Sequence, residues 1–489
     1  MSEPDCVGER GDEFVAASGE FRRGSVVGRR SAGDNQQAAF AQRRFPRGGK
    51  AQLLQAAGGA DDDGRRSAQE DAEAFLFNGG METADDAAAR VAPASGLVVG
   101  ANPQRKIVTA SPENSETPLD NSAGWVTPNR LFFVRNHFEP PVAADAAAWT
   151  CTLDGLVARP ATWTFAELAA MPQHTVFATV ECAGNGRSFL RERAEGVQWG
   201  AGAIGNAEWS GVPLRTLLEP AGLAAGAMEV VFEGADHGDE HGHAMNFSRS
   251  LPLAKALHPD TIIALRMNGE WLEPNHGAPM RLFVPGHYGV ASVKWLRAMR
   301  VIDHAYPGFF QTTKYSVNRP GSGGKVRQPI GASAVKSAIL QPPEGAQLGL
   351  GRHLVAGLAW AGEEKIAGVD VSSDGGRTWQ AAQLKGIRQP YCWCQWETRW
   401  TVGAAGDYTL LARAHTETGQ TQPLDYNPDN LGYIINLPIA RHVSVAASRP
   451  AQVYFADAPP WNDFMEAYAT ENSRRPLDLE LALTAGDGI

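Results

Sequence analysis

Cationic residues are the minority in this chain. Its 489 residues carry 44 Lys and Arg against 54 Asp and Glu, a formal net charge of −10. A nucleic-acid binder normally presents a basic face, so that class is disfavoured. A small anionic substrate is still allowed, because an acidic protein can hold a local arginine pocket. Cysteine is scarce too: Cys6, Cys151, Cys182, Cys392 and Cys394 are all there are. So few, spread so widely, do not make a disulfide framework, and one or two functional thiols fit better. No run of about 18 or more apolar residues occurs, so no membrane span is expected. The absence of a Cys-x-x-Cys-His string excludes a covalent c-type haem.

What is present reads as a globular protein. Hydrophobic residues make up 43% and charged residues 20%, and the length suits about two to four domains. Residues 1–104 are rich in Gly, Ala, Arg and Asp with little periodicity, and are expected to be a poorly ordered leader. Four arginine pairs lie there: Arg22-Arg23, Arg29-Arg30, Arg43-Arg44 and Arg65-Arg66. A twin-arginine export signal needs an apolar segment behind the pair, and FPRGGKAQLLQAAGGADDDG is too polar. A cytoplasmic location is the expectation from that leader.

Order is expected from about residue 105. Short apolar runs at 131–134, 176–180, 229–232, 261–267 and 280–284 predict strands. Helical patterns fall at 164–170 and 213–221, the first stopped by Met171-Pro172. The mixture predicts an α+β domain over 105–325. The segment RPGSGGKVRQP, 319–329, reads as a linker. Beyond it, 366–372, 393–400 and 408–415 alternate as strands do, with a turn signal at Asp374-Gly375-Gly376. A small β-sandwich over 326–450 follows. Cys392 and Cys394 would share one face of a strand as packing residues, since a bridge between them is strained. The polar, acidic stretch 451–489 reads as a tail.

The most informative stretch is TVECAGNGRSFL, 179–190. A strand runs into Cys182 and then Ala183-Gly184-Asn185-Gly186-Arg187, small residues that let backbone approach a ligand. Arg187 would favour the thiolate, which suits a transition metal. Read locally, Cys182 is equally a buried structural cysteine, or the nucleophile of a cysteine hydrolase with a histidine base.

Six strings in order resemble the sulfite oxidase family. They are Cys182-Ala183-Gly184-Asn185 with Arg187; Phe133-Val134-Arg135-Asn136-His137; WGAGAIGNA at 199–207; Phe232-Glu233-Gly234-Ala235-Asp236; Asn268-Gly269 before His276-Gly277 and Arg281; and Val284-Pro285-Gly286 before Ser292-Val293-Lys294-Trp295. The resemblance covers most of 113–325 and implies a molybdenum–molybdopterin cofactor with Cys182 as the protein ligand. It also implies oxidation of sulfite to sulfate. Arg135 and Arg187 would bind the anion, and Tyr315 would stand at the reacting centre. Phe133, Val134, Arg135, Asn136, His137, Asp236, His276, Arg281, Ser292, Val293 and Lys294 would hold the pterin. Arginine forks suit a doubly charged oxyanion better than lysine points.

The β part resembles the family's dimerisation domain, through Val369-Asp370-Val371-Ser372, Asp374-Gly375-Gly376-Arg377-Thr378-Trp379, Arg413-Ala414 and Gln422-Pro423. That implies an immunoglobulin-like sandwich and a homodimer. Two departures bear on function. Many relatives carry Asn-x-Arg-Gly where this chain has Asn430-Leu431-Gly432, which removes a third anion-binding arginine. No HPGG haem-domain string is present, so electrons would leave to an external acceptor, such as a cytochrome c. Family members in bacteria are often periplasmic, which keeps that compartment open. The alternatives are a sulfur-compound dehydrogenase or a nitrate or sulfoxide reductase on the same cofactor, and, in another class, a cofactor-free cysteine hydrolase or an inactive dimeric binding module. His237, Asp239, Glu240, His241 and His243 have spacing that could bind zinc, though a solvated polar loop beside the cofactor is the expectation.

Overall fold

The apolar run predicted at 176–180 forms the middle of the strand His174–Glu181, which pairs antiparallel along its whole length with Ile204–Pro213. Ile204–Pro213 is buried on both faces over nearly all its length. It gives Ala207 and Trp209 to one apolar cluster and Val212 to another. These strands continue through Ile262–Met267 to Glu270–Trp271 and Arg281–Phe283. This computed structural model describes residues 105–119, 124–142 and 146–447. The expected leader with its arginine pairs and Cys6, and the expected tail 451–489, lie outside the described residues.

A second five-stranded sheet runs Ala161–Thr164, Thr150–Gly155, Leu296–Ile302, Glu229–Glu240, His243–Pro252, with Leu296–Ile302 parallel to Thr150–Gly155. The two sheets share the largest core, in which Cys151, Phe165, Phe232, Ile263, Leu282 and Leu296 are fully buried. A helix, Phe165–Ala170, sits where the 164–170 pattern predicts it. Thr164 and Glu167 cap it reciprocally, and Met171 turns extended before Pro172. The 213–221 pattern becomes the helix Arg215–Ala221. The described α-helices are short, none longer than seven residues, and strands dominate. The α+β expectation therefore overstated the helix content: the described structure is mostly β.

Beyond residue 330 two sheets face each other across one core. Lys336–Gln341, Gly351–Trp360, Cys394–Val402 and Gln383–Lys385 form one. Ala346–Leu348, Arg441–Val445, Gly406–Thr416, Ile366–Ser372 and Gln380–Ala381 form the other. Val355, Val369, Trp396 and Leu410 lie between them. This part packs against the first through Trp125, Ile204, Trp360 and Trp393. Trp393 donates its indole N–H to the Trp125 carbonyl at 2.9 Å.

Four local expectations change. The run at 131–134 is not one strand: a 3-10 turn, Asn129–Leu131, follows Pro128, and only Val134–Arg135 pairs with a neighbour. Phe132 and Phe133 are buried against sheet residues such as Val176 and Trp209 and also line a cleft. The 319–329 linker is a β-hairpin, Ser316–Gly321 against Gly324–Pro329. Glycines close its tip, Gly324 at φ +125°, and its exposed second strand explains the polar composition. The polar stretch 237–243 is the end of a long hairpin rather than a loop, with His237 opposite Asn246. Cys394 begins its strand inside the sandwich core, whereas Cys392 precedes the strand and packs beside Trp125 and Trp393. Both are free thiols. None of the described helices is long and apolar enough to cross a membrane.

Candidate active site

Cys182 is the first residue after His174–Glu181. Its N–H donates to the Ala203 carbonyl at 2.9 Å, and its own carbonyl accepts from Asn185 N–H at 2.9 Å. The chain then turns through Gly186 at φ +95°, which delivers Arg187 back beside the loop. A Cβ on Gly184 would stand 2.4 Å from Arg187 Nη2, so a side chain here would displace the guanidinium. Arg187 is buried and held by carbonyls: Nε donates to Gly432 at 2.9 Å and Nη1 to Val197 at 2.7 Å. The Tyr433 ring lies 5.2 Å from its guanidinium carbon.

On one side of Cys182 is a cleft of about 720 Å³. Phe132, Phe133, Val180 and Phe247 give it apolar walls, and Asp236, Asn275, His276, Arg281, Ser292 and Lys294 line it with polar groups. Arg281 donates to the carbonyls of His276 at 3.0 Å and Ser292 at 2.8 Å. Burial lowers its pKa to about 9. Lys294 donates to the Asn275 carbonyl at 2.9 Å and to the Asn136 side chain. Burial, with Arg281 nearby, pushes its pKa well below the usual lysine range. His276 is held down at about 3 by burial and by the charges of Arg105, Lys294 and Arg281. Burial raises the Asp236 carboxyl to about 7.

At the junction, Arg135 donates to the Tyr315 phenol at 2.9 Å and lies 3.1 Å from His137 Nδ1. His137 Nε2 meets Glu240, while burial and Arg135 lower the imidazole pKa to about 4. Tyr315 is held at φ +43°, a conformation that costs free energy and recurs at functional sites. On the other side a second pocket, about 1010 Å³, is lined by Arg187, Lys314, Arg327, Glu195, His241 and Tyr433 among others. Arg135, His137, Cys182 and Tyr315 border both cavities.

The residues present suit a large anionic group rich in heteroatoms. Asp236 Oδ1 and Arg281 Nε are buried without a protein partner, which asks for a ligand or ordered water. Phe133, Arg135, His137, Cys182, Asp236, His276, Arg281, Ser292 and Lys294 could all reach such a group from the cleft wall. Three expected pterin residues stand back from it. Val134 is buried in the short edge strand, Val293 packs into the main core, and Asn136 orients Lys294 and Asn275. Arg187 borders only the outer pocket. Sequence reasoning missed Asn275, Tyr433 and Lys314. Asn275 precedes a string that was recognised, but nothing local marks the other two. Among the described residues no group of three or more His, Cys, Asp or Glu is placed to hold a metal ion.

Gly432 ends the Asn430-Leu431-Gly432 string, where the expected arginine is missing. At φ +82°, a Cβ here would lie 2.7 Å from Ala194 Cβ and 3.5 Å from Arg187 Nε. The backbone at 432 therefore has no room for an arginine, and the third arginine lining the outer pocket is Arg327.

Residues 137–310 match the oxidoreductase molybdopterin binding domain, and 327–437 match the Mo-co oxidoreductase dimerisation domain. Sulfite oxidase of Gallus gallus is 36% identical over 341 residues, 66% of this chain and 73% of that protein. The chain spans 60% of the Drosophila melanogaster mitochondrial sulfite oxidase, also at 36% identity. Nitrate reductase [NADH] 1 of Phaseolus vulgaris is 32% identical, covering 66% of this chain and 40% of that protein. The sulfane dehydrogenase SoxCD of Paracoccus pantotrophus superposes with a TM-score of 0.63 at 31% identity, over 74% of this chain and 96% of that one. With a molybdopterin-binding domain, a dimerisation domain and relatives of this closeness, the chain belongs to the sulfite oxidase family and is a sulfite oxidase-like molybdoenzyme.

Proposed function

We propose that this chain oxidises sulfite to sulfate and passes the electrons to an external acceptor. The observation that carries the reading is the meeting of two cavities at Cys182, a cleft with apolar walls and a set of polar groups, and a second pocket lined by Arg135, Arg187, Lys314 and Arg327. In this reading Cys182 ligates molybdenum, while Asp236, His276, Arg281, Ser292 and Lys294 hold the pterin and its phosphate. When bound, the cofactor supplies two-electron oxygen-atom transfer.

The chain's own residues bind and orient the anion. Arg135 and Arg187 carry fixed charge toward the space beside Cys182, and their donors are pre-aimed by Tyr315, Gly432 and Val197. Tyr315 O–H faces both cavities and can donate to a substrate oxygen. Sulfite and water give sulfate, two protons and two electrons. His137 and Glu240 lie in contact at the same junction. We read the part beyond residue 330 as an immunoglobulin-like dimerisation module, supported by its two facing sheets and the dimerisation-domain match.

A second reading, reduction of nitrate or oxidation of another sulfur compound, is favoured by the Asn430-Leu431-Gly432 string, which lacks the arginine the family resemblance expects there; the third arginine of the outer pocket is Arg327 instead. The test is metal analysis of protein made in a molybdopterin-producing host, with Cys182→Ala beside it. About one molybdenum per chain, and sulfite-dependent ferricyanide reduction lost in the variant, is the expected outcome. Molybdenum without sulfite turnover, but with nitrate reduction by reduced viologen, would replace sulfite as substrate. No molybdenum would sink the whole proposal.

A further inference from the structure

The residue before Cys182 is the acid of a buried ion pair that joins the two halves of the protein. Glu181 Oε1 accepts from Lys336 Nζ at 2.9 Å, and both side chains are 2% exposed. Glu181 Oε1 also accepts from Asn185 Nδ2 at 3.0 Å, and Oε2 accepts from Trp360 Nε1 at 2.9 Å. Lys336 donates a second bond to the Asn185 carbonyl at 3.0 Å. Asn185 Oδ1 in turn accepts from Ala203 N–H at 3.0 Å, and Ala203 is the residue whose carbonyl receives Cys182 N–H. Ile434 N–H donates to the Ala183 carbonyl at 2.8 Å. Lys336, Trp360 and Ile434 all fall within the segment that matches the dimerisation domain.

Such a pair is a poor stabiliser. Desolvating two charges costs about as much as their attraction returns, and similar-sized neutral replacements are often tolerated. What it does supply is direction. Lys336 fastens both ends of the 181–185 turn, and Cys182 lies inside that turn. We propose that Lys336 is a positioning residue for the Cys182 sulfur, so that metal loading at Cys182 depends on a lysine from the second domain. The inference rests on Cys182 being the metal ligand, but not on sulfite being the substrate.

The experiment uses the full chain, with Lys336→Met, Lys336→Arg, Trp360→Phe and the double variant Lys336→Met/Glu181→Gln. Cofactor-free protein is treated with iodoacetamide, the modified peptide is identified by mass spectrometry, and melting is recorded alongside. The same variants made in a molybdopterin-producing host are assayed for molybdenum. The double variant, which leaves no unpaired charge, is expected to melt within about 3 °C of wild type. Its Cys182 alkylation rate is expected to change about threefold or more, and its molybdenum content to fall to about half or less. Lys336→Arg restores part of both. A well-folded double variant with wild-type alkylation and wild-type molybdenum would overturn the proposal. Should the double variant not fold, Trp360→Phe decides. Loss of the Oε2 bond is expected to move the alkylation rate the same way, and a folded Trp360→Phe protein indistinguishable from wild type in both readouts would refute it. Wild type that binds molybdenum yet leaves sulfite untouched would sink the substrate reading and leave this inference standing.

Discussion

Arg135 and Tyr315 are 180 residues apart in the chain, yet Arg135 Nη2 donates to the Tyr315 phenol at 2.9 Å. The arginine comes from a two-residue edge strand and the tyrosine from a left-handed turn before a hairpin. Each therefore fixes the other where the two cavities meet.

Tyr315→Phe leaves Arg135 without that acceptor. A hydrogen bond to a charged group is worth roughly 1.5–3 kcal/mol, so kcat/KM for the anion should fall about ten- to hundredfold. Steady-state kinetics across anion concentrations measure it. An unchanged kcat/KM would mean that the pair does not aim the guanidinium.

Arg187→Lys should raise KM for the anion far more than it alters melting. A lysine cannot make two directed bonds to the carbonyls of Gly432 and Val197 while presenting a planar fork. Equal KM values for the two proteins would count against an anion-binding role.

Placing an arginine in the Asn430-Leu431-Gly432 string, as Gly432→Arg, should not create a tighter anion site. The Cβ would stand 2.7 Å from Ala194 Cβ, on backbone at φ +82°. Overpacking of this kind costs about 1–3 kcal/mol, so a lower melting temperature and a higher KM are expected. A stable variant with tighter anion binding would show that the loop yields easily.

His276 is buried among Arg105, Arg281 and Lys294, which with burial depress its pKa to about 3. The folded state thus resists protonation that the unfolded chain accepts near pH 6.5. Stability from this group is present above about pH 6.5 and is lost as pH falls toward 3, by up to about 1.4 kcal/mol per pH unit. Buried Asp236, with its pKa raised to about 7, acts oppositely, losing stability as pH rises from about 4 to 7. Urea unfolding of cofactor-free protein should therefore show a shallower acid loss in His276→Gln and a steeper one in Asp236→Asn. Parallel pH profiles for all three proteins would contradict both assignments.

The strands were legible where an apolar run coincided with a pairing strand, as at 176–180 and 366–372. They were misread where burial had another cause. In the 131–134 run Phe132 and Phe133 pack on a sheet and line the cleft without being strand residues, and composition alone cannot separate that from a strand. The 319–329 stretch is polar and glycine-rich because its hairpin is exposed, which in sequence looks the same as a linker.

The chain by itself determined the order of the chemical strings, the thiol at Cys182 with small residues behind it, and the lack of an arginine at 432. These are local facts, set by residue identity and spacing. Only the tertiary structure decided that Lys336 and Trp360 reach back more than 150 residues to Glu181. It also decided that Tyr433 lies beside the Arg187 guanidinium, and that Arg135, His137, Cys182 and Tyr315 stand between two cavities. The physical reason is that these contacts join segments with no sequence periodicity in common, brought together by burying Trp125, Ile204, Trp360 and Trp393 between the two parts.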